Sequence, residues 1–214
     1  MTQLKLYSHP RSGTNWTLAL LEQAYWGCVK YRMFKTGHWS KRRKVIAPES
    51  NMLGGHQLYN RQLPGKRVYV YRDGRDVALS LWRTKAFQPQ AMRSMAFSDF
   101  LRTKLDWECT PGNKAKKTRT IVQHWKRHLD TWREAPDTLF VRYEDLLIHT
   151  ELELYRIEEF AGDELLTVHR HDIGAGPYPS GDYRQAKWVT EYSGADLDYF
   201  NSIVPKDYWG LWNG

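Results

Sequence analysis

The sequence predicts a three-layer α/β/α fold, in which helices cover both faces of a mainly parallel central sheet. Two observations carry this prediction. Short apolar segments alternate with amphipathic helical ones along the chain, and the clearest strand, RVYVY at residues 67–71, is aromatic and β-branched. Alternating strands and helices favour parallel pairing. In such a sheet, ligands bind outside the carboxyl ends of the strands.

The first strand, loop and helix are expected at the start of the chain. Apolar residues at positions 4, 6 and 7 are typical of a strand, and apolar residues at helical spacing follow the loop, with the helix beginning near Thr14. The first N–H groups of a helix have no intrahelical partner and carry partial positive charge. Arg11 and Ser12 add donors. The loop is therefore either an anion site or an ordinary βα turn.

The later elements continue the alternation. Residues 29–34 are a candidate strand, residues 45–47 are either a short strand or a turn, and Gly54 and Gly55 allow unusual backbone angles just before His56. The remaining predictions are helices at residues 77–82, 98–107 with Ser98 as a cap, 120–133, 144–160 and 195–203, and a buried strand at residues 138–141. One face of the 120–133 helix carries Trp125, His128, Leu129 and Trp132.

Length and composition favour one domain spanning residues 1–214. No Pro/Gly/Ser-rich linker divides the chain, and no run of eighteen apolar residues occurs, so we expect a soluble, cytoplasmic protein. The two cysteines, Cys28 and Cys109, are too few for a disulfide framework, although one bridge stays possible.

The formal net charge of +8 predicts an anionic partner, and nucleic acid, a nucleotide or an anionic surface would each fit. Part of the excess lies in the basic runs at residues 41–44 and 114–119, which are either solvated faces or the border of an anion site. The ten Trp and thirteen Tyr are more simply interpreted as core or pocket wall than as platforms for bases.

A second cationic cluster follows the strand at residues 67–71. Arg72 lies at the strand end, and Asp76 and Ser80 are four residues apart on one face of the next helix. Arg72 and Ser80 suit a second phosphate, while Asp76 suits an Arg or a helix end. A surface helix with a local Arg–Asp pair explains the same pattern.

Together these segments resemble the sulfotransferases that use 3′-phosphoadenosine 5′-phosphosulfate (PAPS). That family has a P-[KR]-[ST]-G-T-[TN]-x loop, which stands here as PRSGTNW at residues 10–16. Its strand followed by R-x3-D-x3-S stands here from Tyr69 to Ser80, and its strand plus YEDL stands here at residues 139–147. The order and spacing of all three agree, the likeness covers roughly residues 4–160, and a weaker likeness follows at residues 176–184.

The resemblance implies a P-loop-like nucleotide-kinase type of fold and a set of site residues. Arg11 corresponds to the cation that grips the 5′-phosphosulfate and assists catalysis, and His56 corresponds to the catalytic base. The implied PAPS-binding residues are Arg11, Ser12, Gly13, Thr14, Asn15, Trp16, Arg72, Ser80, Tyr143 and Arg184. No metal is expected, because the moving sulfuryl group carries less charge than a phosphoryl group.

This sequence departs from the family around the base. Gly54 and Gly55 stand where Lys and Thr are usual before the His, so any help from that Lys must come from Arg11 or be absent. Some branches use a Glu as the base, which keeps Glu49 as a weaker candidate. The chain is also short for the family, so we expect reduced lid and acceptor-pocket segments.

The implied reaction is transfer of a sulfuryl group to a hydroxyl or amine of a small-molecule or glycan acceptor, without nucleic acid or membrane as partner. The sequence identifies neither the acceptor nor the oligomeric state. Aromatic residues that either line an acceptor pocket or pack in the core include Trp39, Tyr59, Phe87 and Trp107.

Three rival interpretations were weighed. A P-loop kinase or hydrolase needs G-x4-G-K-[ST], and here the first Gly and the Lys after Gly13 are missing. A basic nucleotide- or nucleic-acid-binding protein without transferase activity fits the charge but matches no recognised nucleic-acid module. Zinc binding by the pairs His124/His128 or His169/His171 fits in spacing but has no third ligand nearby.

Overall fold

A computed structural model describes residues 4–27, 52–63, 65–84, 92–104, 119–168, 186–205 and 208. Its strands are β1 Lys5–Ser8, β2 Leu53–Gly55, β3 Arg67–Tyr71 and β4 Thr138–Arg142. Its helices are α1 Thr14–Trp26, α2 Gly74–Arg83, α3 Phe97–Arg102, α4 Ile121–Arg133, α5 Tyr143–Ile148, α6 Thr150–Ala161, α7 Trp188–Glu191 and α8 Gly194–Ile203. The described strands form a parallel sheet of order β2-β1-β3-β4.

The chain divides into two compact units. The strand unit, residues 1–56, 60–72 and 135–185, holds β1 to β4 with α1, α5 and α6. The helical unit, residues 57–59, 73–134 and 186–214, holds α2, α3, α4, α7 and α8. The assignment of residues 1–214 to one domain stays a prediction from the sequence.

The sheet of the strand unit has an aliphatic and an aromatic face, because alternate residues of a strand point to opposite sides. Leu6, Val68 and Val141 belong to a buried core shared with residues of α1, α5 and α6. Tyr69 lies on the other face and packs against Phe140, with 5.4 Å between the ring centroids. Because both faces of the sheet are covered there, β3 is buried along its whole length.

The register of the strands brings three chain segments to one edge of the sheet. Ser8 of β1 pairs with Val70 of β3, and Tyr71 of β3 pairs with Arg142 of β4. Because these strands run parallel, the loop after β1, the residue after β3 and the start of α5 all leave from their carboxyl ends. This edge is where the sequence places its anion site.

In the helical unit, α4 shows the predicted one-sided burial. Its buried residues are Ile121, Val122, His124, Trp125, His128, Leu129 and Trp132. The helix begins with a capping box, in which the Thr120 side chain accepts from the Gln123 backbone and the Gln123 side chain accepts from the Thr120 backbone. Trp132 also donates its indole N–H to the Gln57 carbonyl at 3.0 Å.

The predicted α/β fold with a parallel sheet is confirmed, and the strands at residues 67–71 and 138–142 and the helix starts at Thr14 and near 120 are close to their predicted positions. β2 was not predicted as a strand, because two of its three residues are glycines with low β propensity. Pairing with β1 stabilises the strand in place of β propensity, since the Leu6 N–H donates to the Met52 carbonyl at 2.7 Å.

Three further expectations are corrected. Ser98 does not cap α3, whose N-cap is Ala96. The Ser98 hydroxyl instead donates to the Asp196 carboxylate at 2.8 Å. α3 ends at Arg102 rather than 107, because Thr103 turns to extended backbone. The helix predicted at 144–160 is broken into α5 and α6 at His149, which has non-helical angles.

Two more differences concern burial and short elements. Of the residues of β4, only Val141 is fully buried, so the strand is less buried than predicted. α7 was not predicted, because four residues are too few for a periodic signal. The candidate strands at 29–34 and 45–47 lie outside the described residues.

We predict that His124 makes the fold sensitive to acid. Burial, together with the nearby charges of Arg119 and Arg127, lowers the pKa of His124 from 6.5 to about 4. Between pH 6.5 and pH 4 the unfolded chain therefore binds a proton at His124 that the folded chain does not bind. The free energy of unfolding is highest above pH 6.5 and falls as the pH drops toward 4. The contribution is at most about 3 kcal/mol.

Denaturant unfolding of wild type and His124→Gln between pH 7 and pH 4 measures this effect. The variant is expected to lose less stability over that range. His149→Gln, at an exposed position, is the matched control and should follow wild type. Parallel curves for wild type and His124→Gln would contradict the prediction.

Candidate functional site

The loop between β1 and α1 contains two residues in the left-handed region of backbone space. Gly13 is the N-cap of α1 with φ +89°, and Arg11 also has a positive φ of 71°. A left-handed conformation is natural for Gly and uncommon for Arg, so the loop is under local constraint. No side chain caps α1, so its first turn keeps N–H groups that no intrahelical carbonyl accepts.

Gly13 leaves no room for a side chain. A Cβ at this position would lie 2.1 Å from Cδ2 of Tyr143, so the loop backbone rests directly against the tyrosine ring. Tyr143 begins α5 immediately after β4 and is 6% exposed. Trp16 meets the same ring edge-on, with 6.2 Å between the centroids. Trp16 and Tyr143, both implied by the resemblance to bind PAPS, therefore lie together beside the loop.

Ser12 is the buried polar group that points to a ligand. Its side chain is fully buried, and its Oγ has no hydrogen-bond partner among the residues that the structure describes. A buried hydroxyl without a partner costs free energy, so native proteins rarely keep one unless a ligand or water completes it. An anion in the loop would accept this hydrogen bond.

Arg72 reaches the loop from the neighbouring strand. It follows β3, which pairs with β1, and its Nη1 lies 3.5 Å from the Arg11 carbonyl oxygen. Its guanidinium also lies over the Tyr143 ring, 5.3 Å from the centroid. The segments around Arg11 and Arg72, which are separated in sequence, therefore meet at one edge of the sheet. This arrangement concentrates positive charge where an anion can bind.

His56 lies just after β2 and contacts β1. Its Nδ1 is 2.8 Å from the Ser8 carbonyl oxygen and 3.4 Å from Ser8 Oγ. Burial lowers the pKa of His56 below 6.5, while the hydrogen bond to the Ser8 backbone raises it in part. The histidine is therefore neutral at pH 7, as a general base must be.

The glycine at position 54 has a steric reason. A Cβ there would lie 2.3 Å from the Tyr7 ring, so the lysine usual in the resembling family does not fit on this backbone. Position 54 therefore supplies no cation to the loop, whereas Arg72 extends its guanidinium to the Arg11 carbonyl there.

The second half of the R-x3-D-x3-S pattern lies on α2 in the helical unit. Asp76 is buried, and its Oδ1 accepts the backbone N–H of Trp188 at 3.2 Å, so it holds a helix end, one of the two roles expected for it. Ser80 is half-buried, and its carbonyl accepts from the Thr84 hydroxyl at 2.7 Å.

Arg75 makes contacts that the sequence did not predict. Its guanidinium stacks over Trp188, 3.6 Å from the ring centroid, and pairs with Asp73 at 2.6 Å. The Tyr192 hydroxyl donates to the Arg75 carbonyl at 3.1 Å. These contacts fasten α7 to the start of α2. The charged cluster after β3 thus has a structural part as well as Arg72.

Several candidates lie outside the described residues: Glu49, Arg184, Cys28, Cys109, Trp39, Phe87, Trp107, His169, His171 and most of both basic runs. Tyr59 is described and packs against Trp132, with 5.5 Å between the ring centroids. Its packing against a core helix favours the structural interpretation of this aromatic residue.

The described parts of the chain also bear on metal binding and membrane insertion. No group of three or more His, Cys, Asp and Glu side chains suited to a metal ion occurs there. His124 and His128 are both buried on α4, with 6.0 Å between their ring centroids. Over those same ranges, no helix is long and apolar enough to cross a membrane.

Sequence comparison connects this chain to known proteins. The sulfotransferase domain family matches residues 2–173. Cytosolic sulfotransferase 7 of Arabidopsis thaliana is 22% identical over 206 residues, covering 81% of this chain. This chain spans about 60% of the length of that curated relative.

Solved structures show the same fold. A mouse sulfotransferase complexed with PAP superposes with a TM-score of 0.60 at 15% identity, covering 94% of this chain and 82% of the other. Retinol dehydratase, in complex with androsterone and the inactive cofactor PAP, gives a TM-score of 0.54 at 16% identity, covering 96% and 80%. At these identities the likeness concerns the fold alone.

We predict that Gly13→Ala disrupts the loop. The new Cβ would overlap the Tyr143 ring and would hold Ala at a strained φ, so the free energy of unfolding should fall by about 1–3 kcal/mol. Denaturant unfolding measures it. Gly194→Ala is the control, because nothing lies within 4 Å of a Cβ there, and it should change stability by less than about 1 kcal/mol. Equal stability of Gly13→Ala and wild type would contradict the packing.

Proposed function

The chain belongs to the sulfotransferase domain family, and from that premise we propose that it transfers a sulfuryl group from PAPS to a hydroxyl or amine of an acceptor. One observation carries the proposal: Arg72 meets the loop of residues 9–13, where the buried Ser12 hydroxyl has no hydrogen-bond partner in the described part of the chain. PAP, the 3′,5′-adenosine bisphosphate left after transfer, is bound in the mouse sulfotransferase and in retinol dehydratase.

The described residues suit this donor. In the proposal, Arg11, the Ser12 and Thr14 hydroxyls and the N-terminus of α1 hold the 5′ group, since all of them donate hydrogen bonds to an anion. Arg72 and Ser80 hold the 3′-phosphate. The remaining proposed contacts are Gly13 and Asn15 in the loop, Trp16 and Tyr143 beside the adenine, and Arg184.

The chemistry follows from where charge develops. PAPS supplies the sulfuryl group, and its 5′-phosphate gains negative charge as that group departs. Donors held in place at this oxygen stabilise the transition state more than the ground state, by analogy with phosphoryl transfer. We assign this role to Arg11, Thr14 and the helix N-terminus, with no metal.

The base in this proposal is His56. The Ser8 carbonyl can only accept a hydrogen bond, so the 2.8 Å contact assigns the ring proton to Nδ1. Nε2 then carries the lone pair that takes the proton of the attacking hydroxyl or amine. Glu49 is the alternative base.

The acceptor is proposed as a small molecule or glycan. Retinol dehydratase was solved with androsterone and with retinol, so small molecules occupy this fold in a structural relative. Transfer of labelled sulfate from PAPS to phenols, alcohols, sugars and amines tests the proposal directly. A protein that binds labelled oligonucleotide in a salt-dependent way, unaffected by PAP, and that transfers no sulfate would instead be a nucleic-acid-binding protein.

We predict that Arg72→Ala weakens PAP binding by about tenfold to a hundredfold, because it removes a charge-assisted hydrogen bond to the 3′-phosphate. Calorimetry with PAP measures the affinity. Arg156→Ala is the control, because it changes the net charge by the same amount and removes a guanidinium that pairs with Glu153 on α6. It should bind PAP like wild type. Unchanged affinity in Arg72→Ala would remove Arg72 from the site.

We predict that His56→Ala lowers kcat by about 10²- to 10⁴-fold and leaves PAP affinity nearly unchanged. In wild type, kcat/KM should fall as the pH drops through a value below 6.5, because burial lowers the pKa of His56 and only the neutral ring accepts a proton. Steady-state kinetics across pH, with His149→Ala as a surface control, measure both. Full activity in His56→Ala would move the base elsewhere, first to Glu49.

A further inference from the structure

Ser8, at the end of β1, touches both the proposed base and the anion loop. Its carbonyl oxygen lies 2.8 Å from His56 Nδ1, and its Oγ lies 2.5 Å from Thr14 Oγ1. Ser8 is fully buried, and Thr14 is 6% exposed. Ser8 therefore links two groups that the proposed function uses but that lie far apart in sequence.

The protons of this cluster can be placed by counting donors and acceptors. The carbonyl of Ser8 only accepts, so His56 Nδ1 carries a proton. Ser8 Oγ lies 3.4 Å from the same Nδ1, so the serine hydroxyl does not donate to the protonated ring nitrogen. The 2.5 Å contact with Thr14 Oγ1 allows either oxygen to donate, and a Ser8 Oγ that faces the imidazole N–H favours donation by Ser8. The Thr14 proton then points away from Ser8.

We infer that Ser8 is a positioning residue that sets the donor direction of both groups, holding His56 in the tautomer with an unprotonated Nε2 and leaving the Thr14 hydroxyl to donate to an anion. This inference rests on the proposed function. Buried hydrogen bonds that follow one another in series polarise one another. The hydrogen bond donated by the Ser8 hydroxyl therefore makes the Thr14 hydroxyl a better donor. The strand end thereby prepares the base and the leaving-group site together.

The tautomer can be observed directly. Long-range ¹H–¹⁵N spectra of the ¹⁵N-labelled wild-type protein at pH 7.5, with His56 assigned by comparison with His56→Ala, report which ring nitrogen carries the proton. The expected result is a protonated Nδ1 and a bare Nε2, with and without PAP. A protonated Nε2 would overturn the inference, and this measurement needs no variant of Ser8.

A double-mutant cycle tests the link to the loop. PAP affinity is measured by calorimetry for wild type, Ser8→Ala, Thr14→Val and the double variant, with circular dichroism to check folding. Ser8→Ala should weaken PAP about tenfold, and the double variant should bind no more weakly than Thr14→Val. Ser202→Ala, which removes an exposed hydroxyl, should bind like wild type. Wild-type affinity in Ser8→Ala, or losses that simply multiply, would overturn the inference.

The two proposals fail in different ways. A wild-type protein that neither binds PAP nor transfers sulfate removes the proposed function. A wild-type protein that does both, with a protonated His56 Nε2 or an unaffected Ser8→Ala, removes only the role of Ser8.

Discussion

The parallel pairing of β1 with β3 is the constraint on which the candidate site depends. Ser8 pairs with Val70, so the loop after β1 and Arg72 after β3 start from the same edge. The Arg72 guanidinium is held there by the Tyr143 ring and by the Arg11 carbonyl. An antiparallel or shifted pairing would send these cations to different places, since side chains and strand ends follow the register. Two cationic segments held this close favour an anion between them.

Two close approaches of backbone to ring shape the site around that edge. Gly13 lies against Tyr143 and Gly54 lies against Tyr7, each at a distance that a Cβ would not allow. The first contact sets the aromatic wall beside the loop. The second excludes a side chain at position 54, so no lysine extends from this position. Both tyrosines are buried, which makes these contacts rigid parts of the core.

Burial ties the proposed base to the core in the same way. His56 is desolvated, and this lowers its pKa and keeps the ring neutral near pH 7. Its contact with the Ser8 carbonyl fixes the ring orientation at the end of a central strand. A base on a mobile loop would have neither property. In the helical unit the charged side chains have a structural role, because Arg75 pairs with Asp73 and stacks on Trp188 and thereby holds α7.

The sequence by itself determined the fold class, the strand at residues 67–71 and the start of α1, because periodicity and turn chemistry are local signals. It missed β2, the break at His149 and the true cap of α3, since pairing with β1 and contacts such as Ser98 with Asp196 come from segments far away in the chain. Only the tertiary structure decided that Arg72 reaches the loop, that Gly13 rests on Tyr143 and that Ser8 joins His56 to Thr14. Those contacts depend on strand register and side-chain packing, which no local pattern of residues encodes.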